Sequence, residues 1–377
     1  MAGTALAEFT DFVGITGQAI FSGPNDIIND STEHNTYLLR KALKGKPLSA
    51  VVKGGRTIDD TIQFDNNGSF SNYQTNAVFS PSNPQLTTNI SINWRFSKFE
   101  YVYTDQEIEL NATDGMTEGA RFHQYKEIKM QKEMGAWSSG VDGIENQLLA
   151  VPVTGDQEAA GGEDQYSIFS FISEDTTNFH PTGWTTIEGI NPANEANWRN
   201  QVTTYDHTDP LNITTGVFAA FDEMKQDIYF EMPGTRDQYF ENDTMNRCCI
   251  IASKQGMTLY QQALRASNDR LVGNGNSSDP SYADPAYAGI PVKRISGLDD
   301  AAVYTSAAEA AGEPRYYWLN FNYIKVVFHT NKYFQQSAPI RHPNQPFTHV
   351  VYFDTYWNMI MRSRRRQGIV APTTPSN

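Results

Sequence analysis

Residues 361–368 read MRSRRRQG, four arginines in five positions, in a chain whose 29 basic and 43 acidic residues leave a formal net charge of −14. Such a run could grip phosphates, act as an address, or meet carboxylates on a protein surface. The other residues able to do chemistry are scattered. His123 and Glu127 stand at i, i+4, where two ligands could face one metal, but no third accompanies them and they read as a solvated helix face. Asp206, His207 and Asp209 form a polar cluster, but HTDP, residues 207–210, reads as a turn initiator. His342 and His349 flank a proline turn with no cysteine or carboxylate close in sequence. Glu107 and Glu109 are an acidic pair of the type a glycosidase uses, and equally a common surface pair.

Motif signatures are missing as well. KALKGKP lacks the first glycine and the hydroxyl residue of a phosphate-binding P-loop, GNGNSS is a loop, and HExxH, GxSxG and paired CxxC do not occur. The two cysteines, Cys248 and Cys249, are neighbours, so no long-range disulfide can form within the chain, which suits a reducing cytosol. No catalytic residue, cofactor site or metal site is assigned. The start, MAGTALAEFTDFVG, has no basic region and carries Glu8 and Asp11, so no secretory signal is read, and the seven N-x-S/T triplets reflect composition. No apolar run reaches the ~18 residues of a membrane span.

Charge is uneven along the chain. Residues 320–377 hold Lys325, Lys332, Arg341, Arg362, Arg364, Arg365 and Arg366 against Asp354 alone, a segment of +6 on a remainder of −20. A basic end on an acidic body suits head-to-tail association of copies. The alternative, that acids of the same chain satisfy the basic end, weighs equally on charge alone.

The elements that must position these residues follow from periodicity. Residues 1–30 read as an extended arm. Asp30 and Glu33 resemble a capping box opening a short helix, STEHNTYLLRKALKG. In TTNISINWRFSKFEYVY, Ile90, Ile92, Trp94 and Phe96 alternate with polar residues. After a slip at Ser97–Lys98, Phe99, Tyr101 and Tyr103 resume the alternation, which predicts a long half-buried strand with a bulge. Its expected partner is TIDDTIQF, across a polar tip at residues 65–84. A two-stranded ribbon of that length is marginal in water, so it must lie on its own domain or on a neighbour.

A helix is expected from near Asp114 to Val151–Pro152. Met130, Met134, Trp137, Val141, Ile144 and Leu148 would form one apolar stripe held by tertiary packing, with glycines at close approaches. Residues 153–210 read as loop-rich, GDQEAAGGEDQ as a mobile acidic turn, and 214–228 as a helix. RCCIIAS reads as a buried strand leading through a Ser253 cap into KQGMTLYQQALRA. After the loop 273–285, the short strand AGIPVKRI and a link at 301–314, two long strand-like runs close the chain, YYWLNFNYIKVVFH and FTHVVYFDTYWNMIMRSRRRQGIV.

This order resembles the major capsid protein of tailed bacteriophages, the Hong Kong 97-type shell fold, an α+β architecture, over nearly the whole chain. GGRTIDDTIQF…NISINWRFSKFEYVY is similar to that family's E-loop, and RFHQYKEIKMQKEMGAWSSGVDGIENQLLA to its spine helix. RCCIIASKQGMTLYQQAL with YAGIPV is similar to the A domain, and YWNMIMRSRRRQGIVAP to the last strands of the P domain. The resemblance implies an arm and short helix at 1–47, an E-loop at 48–104, a P domain with spine helix at 105–152, an A domain at 153–314 and P-domain strands at 315–377. It further implies a non-enzymatic coat assembled in a host cytoplasm into the icosahedral shell of a virion. That shell would be built from hexamers and pentamers of one chain around non-specifically held double-stranded DNA, with a scaffolding protein, a portal and a decoration protein as partners. Lys53 lies near the hairpin base, but no crosslinking motif accompanies it. An encapsulin-like shell, and a carbohydrate-active enzyme or lectin, are the alternatives.

On that reading the basic run is a strand edge. Side-chain alternation would place Arg362, Arg364 and Arg366 on one face, where they repel one another unless carboxylates oppose them. An inter-subunit ion-pair ladder is therefore expected there, with DNA contact as the lesser reading. Ile90, Ile92, Trp94 and Phe96 of the ribbon are the other expected inter-subunit contacts.

Overall fold

The computed structural model describes residues 37–39, 51–52, 55–63, 87–107, 118–159, 161–228, 248–268, 285–300 and 313–373. The arm, its capping pair, Lys53, the hairpin tip, Glu109 and most of the loops at 273–285 and 301–314 lie outside the described residues, as do the side chains of His123 and Glu127. Of the expected first helix only Tyr37–Leu39 is described, and it is helical. The chain divides into two compact units.

The first unit falls within Phe96–Ile144 and Asn331–Tyr356. Its sheet is centred on the long strand β13 (Gln345–Met361), with which β4 (Arg95–Thr104), β11 (Gln335–Gln336) and β12 (Ile340–His342) pair. Tyr101, Tyr103, Val351 and Phe353 make its buried face and pack with Ala136 of α1 (Glu118–Leu148). Phe99 stacks on Phe353 at 4.7 Å and meets the Trp137 ring edge-on at 5.7 Å. Lys132 ties α1 to the end of β4 by reaching Val102 O at 3.0 Å and the Glu107 carboxylate at 2.5 Å.

The apolar stripe read from α1 is only partly core. Ile144 and Leu148 are buried and Val141 is half-buried, whereas Met130 and Met134 stay 58% and 59% exposed. The sheet instead meets the small-residue side of the helix, at Ala136 and Gly140. A Cβ at Gly140 would stand 2.7 Å from the Phe99 ring, so this glycine is a close approach to a side chain; Gly135 and Gly143 meet nothing within 4 Å.

The second unit falls within Tyr37–Arg95, Glu145–Thr330 and Trp357–Asn377. Its main feature is a six-stranded mixed sheet. In spatial order the strands are β5 (Gln201–Tyr205), β14 (Gly368–Pro372), β9 (Tyr316–Asn320), β6 (Cys248–Ala252), β8 (Ile290–Arg294) and β7 (Ala286–Tyr287). The pairs β5–β14 and β6–β8 are parallel; the others are antiparallel.

After the single-turn α2 (Ile168–Phe171), Phe221 and Met224 of α3 (Val217–Ile228) and Tyr260 of α4 (Lys254–Asn268) share a core with Ile250, Trp318 and Val370 of that sheet. Ser253 caps α4 by accepting the Gly256 N–H at 3.3 Å. The run YYWLNFNYIKVVFH is two strands rather than one. After β9 a turn at Phe321–Tyr323 leads to β10 (Ile324–His329), which pairs with the end of β13 in the register Ile324↔Met361 to Phe328↔Trp357. On its other side β10 takes β1 (Val51–Val52) in parallel. The expected hairpin partner is present: β2 (Thr57–Gln63) and β3 (Thr87–Asn93) form a separate two-stranded ribbon in the register Ile58↔Ile92.

The helix glycines give a paired test of this packing. Gly140→Ala should destabilise the protomer by about 1–3 kcal/mol because the stacked Phe99 ring cannot retreat freely. Gly135→Ala, with open space around it, should instead gain about 0.5–1 kcal/mol. Urea unfolding of both variants measures the two signs, and equal shifts would contradict the close approach.

Candidate functional site

Strand β13 ends at Met361, and Arg362–Gln367 form a turn before β14. The Gln367 N–H donates to Arg364 O at 2.9 Å and the Arg362 N–H to Tyr323 O at 2.8 Å. Strand alternation therefore never reaches the arginines, and the expected ladder of three on one face is not formed. Two of the three are buried in their own chain, for a reason strand periodicity does not contain: each guanidinium is enclosed by a turn and the loops around it.

Arg364 is fully buried. Its Nε donates to Phe171 O at 2.7 Å and its Nη1 to Trp198 O at 2.7 Å. Nη2 donates to Phe179 O at 2.6 Å and Asn200 Oδ1 at 3.1 Å. Burial pushes this guanidinium down to about 9, against the opposing attraction of Glu188. Arg366 is buried too, stacked 4.7 Å over the Tyr323 ring and pushed down to about 10 by burial. Arg365 donates to Asn197 Oδ1 at 3.0 Å. Only Arg362 of the expected three is open to solvent, and it pairs with Asp60 of β2. Lys325 lies in the same field; burial first, and then the Arg362 charge, lowers its ammonium pKa.

The residues after the arginines are equally internal. Gln367 accepts the Asn320 N–H at 2.7 Å and donates to Asn320 O at 3.1 Å, so its side-chain amide imitates a strand partner for β9. Gly368 leaves room for Met224 of α3, whose sulfur a Cβ there would strike.

Glu188 is the buried acid of this region, in a left-handed conformation (φ 54°). One carboxyl oxygen accepts the Met361 N–H at 2.9 Å; the other, buried, has no hydrogen-bond partner. Burial holds its pKa well above the ordinary carboxylate range, despite the Met361 N–H and Arg364.

The ribbon residues divide. Ile90, Ile92 and Trp94 are buried, with the Trp94 indole N–H donating to Gly55 O at 3.0 Å and the ring edge-on to His329 at 5.3 Å. They are core of their own chain, not free contact surface. Phe96 is 64% exposed, touching the Tyr356 ring at 4.5 Å.

The slip that separates them falls at Trp94–Arg95, both buried, and not at Ser97–Lys98. Its cause is Arg95, which read as an outward polar residue. Its guanidinium is buried and donates to Asp156 O at 3.0 Å, Gln157 O at 3.1 Å, Ala159 O at 2.6 Å and Gly162 O. The acidic turn expected to be mobile is thus wrapped around a buried cation.

Three further polar groups carry structure without a clear motif. Asn358, alone in the apolar run WNMIM, accepts the Tyr166 N–H at 3.0 Å and donates to Asn93 O at 2.8 Å. Glu145 accepts the Leu38 and Leu39 N–H groups at 2.9 and 2.8 Å. His349 sits 3.1 Å from Asp105, a carboxylate distant in sequence, and stacks on Tyr103. Asp206 accepts from Thr208 within the expected turn, at 2.9 Å from the N–H and 2.6 Å from the hydroxyl. Among the described residues no group of three or more His, Cys, Asp or Glu side chains could hold a metal, and no helix is long and apolar enough to cross a membrane.

Two measurements follow from this geometry. Arg364→Met leaves buried carbonyls without donors and should cost about 3–5 kcal/mol of protomer stability, whereas Arg362→Gln, at an exposed pair, should cost about 0–1 kcal/mol. Comparable losses in urea unfolding would contradict the internal role of Arg364. Glu188 holds its proton to higher pH folded than unfolded, so above the ordinary glutamate range the folded state binds more protons and stability falls as pH rises. Glu188→Gln keeps an acceptor for Met361 and removes that slope. Its melting temperature should exceed the wild-type value increasingly as pH rises above the ordinary glutamate range; an offset independent of pH would contradict the raised pKa of the buried acid.

No family model and no curated protein matches the sequence. Solved structures do. The chain is similar to the Mycobacterium phage Ogopogo structure at 10% identity and a TM-score of 0.49, covering 94% of this chain and 99% of that one. It is similar to the capsid of the native GTA particle at 11% identity and a TM-score of 0.47, covering 95% and 99%. It is similar to the bacteriophage PhiM1 mature capsid at 12% identity and a TM-score of 0.46, covering 85% and 83%.

Proposed function

We propose that this chain is the major capsid protein of a tailed bacteriophage, a coat subunit whose copies close into an icosahedral shell around double-stranded DNA. The observation that carries the proposal is the succession of elements within one chain. A two-stranded ribbon is followed by a 31-residue helix, a six-stranded mixed sheet flanked by helices, and a return through the 17-residue strand β13. That is the order the resemblance in sequence implies. The charge pattern supports it further. Arg364 and Arg366 are internal and the chain is strongly acidic, so DNA would be enclosed rather than gripped.

The proposed activity is assembly, with no catalytic step. The location is the virion, and the partners are further copies of the chain, a scaffolding protein, a portal and a decoration protein.

Purified protein, with and without a scaffolding partner, should give uniform closed particles in negative-stain images. A persistent monomer under both conditions would sink the proposal. Deleting Asn66–Pro84, the tip between β2 and β3, should leave a folded protomer with an unchanged circular dichroism spectrum but lower the particle yield in sedimentation. An undiminished yield would count against the ribbon as an arm for neighbours.

A further inference from the structure

Eight of the twelve exposed large hydrophobic residues among the described ones lie in the first unit. Several of them share one surface. Strand alternation turns Phe99, Tyr101 and Tyr103 of β4 toward α1, and Phe96 and Val102 to the opposite face of the sheet. On β13, Val351 and Phe353 face the helix, so Tyr352 and Tyr356 share the opposite face, where Tyr356 meets the Phe96 ring. The register Ile340↔Val350 adds Ile340, 53% exposed, to that face. An antiparallel sheet with one solvated face ordinarily carries polar residues there. This one carries aromatic and aliphatic side chains on both faces.

The charges on the outer face say what can cover it. Lys98 lies 5.6 Å over the Tyr352 ring, and Lys332 lies 5.7 Å over Tyr356 while pairing with Asp354 at 3.1 Å. With Glu100, the face holds two basic and two acidic groups. A nucleic acid needs an excess of positive charge, which is absent here. Two copies of a −14 chain repel across most of their surfaces, and they approach most easily where the local charge cancels. Aromatic side chains with balanced charge are also the composition of protein–protein contact cores.

We infer that the outer face of the β4–β13 sheet, centred on Phe96, Tyr356 and Ile340, is a contact surface for a second copy of this chain. The inference rests on the shell reading and assigns one of its contacts.

The test uses the full purified chain in sedimentation velocity. Phe96→Asp and Ile340→Asp should each lower the assembled fraction roughly tenfold or more, as expected for truncating a contact centre. Ile213→Asp, at a 67% exposed residue of the other unit, should assemble like wild type. Assembly of Phe96→Asp and Ile340→Asp at wild-type levels would overturn this face while leaving the shell reading standing. If wild type forms only small oligomers that both substitutions dissociate, the face stands and the shell reading falls. If wild type stays monomeric, both fall.

Should the variants fail to fold, hydroxyl-radical footprinting of wild type decides. Labelling of Phe96, Tyr352 and Tyr356 should drop severalfold from the unassembled to the assembled fraction, and unchanged labelling overturns the inference.

Discussion

A guanidinium taken out of water must find acceptors for its N–H groups, and in this chain that demand organises the backbone around it. Arg364 draws the carbonyls of Phe171, Phe179 and Trp198 and the amide of Asn200 onto one side chain. The segment from Ile172 to Asn200 holds a short 3-10 turn, one isolated bridge between Ile187 and Ile190 and otherwise irregular backbone, whose buried polar groups need partners. Arg95 does the same for Asp156–Gly162. Each arginine thereby joins a strand end to a stretch of irregular backbone. Arg364 also sets the turn that delivers β14 into the six-stranded sheet, between β5 and β9. Glu188 completes the arrangement by binding the last N–H of β13 next to that charge.

The two units use their apolar residues differently. In the second, the mixed sheet and its helices enclose a contiguous core, and the buried Phe221 meets both Tyr316 and Trp318 edge-on. In the first, the sheet is covered on one face by α1, while its other face keeps aromatic side chains in view of solvent. The first arrangement stabilises a protomer by itself. The open sheet face of the first unit leaves hydrophobic free energy to be gained by whatever covers it.

Much of this architecture was legible in the sequence because burial imposes periods. Alternation located β2, β3 and β4, a CCIIA run followed by Ser located β6 and the cap of α4, and a helical period located α1. What the sequence hid were polar residues whose partners are backbone groups far away. Arg95, Arg364 and Gln367 look like surface residues in any local window, since nothing nearby reports the carbonyls awaiting them. A lone Asn358 inside WNMIM was the one such residue with a visible signal. The helix stripe is incomplete for a related reason: a period finds apolar residues, but the small pair Ala136 and Gly140 decides which side another element can approach. The arginine run, which looked like a handle for a partner, is in the main an internal fastening, and the surface suited to a partner lies on β4 and β13.

If copies meet through the charge-balanced apolar face of β4 and β13 in a chain of net −14, assembly does not depend on an arginine ladder. The most direct measurement is the critical concentration for assembly of the purified chain as salt rises from about 50 mM to about 500 mM, which shortens the screening length severalfold. The critical concentration should hold steady or fall, because salt relieves repulsion between acidic copies and leaves the apolar contact intact. A critical concentration that climbs steeply with salt would contradict it and return the arginines to the interface.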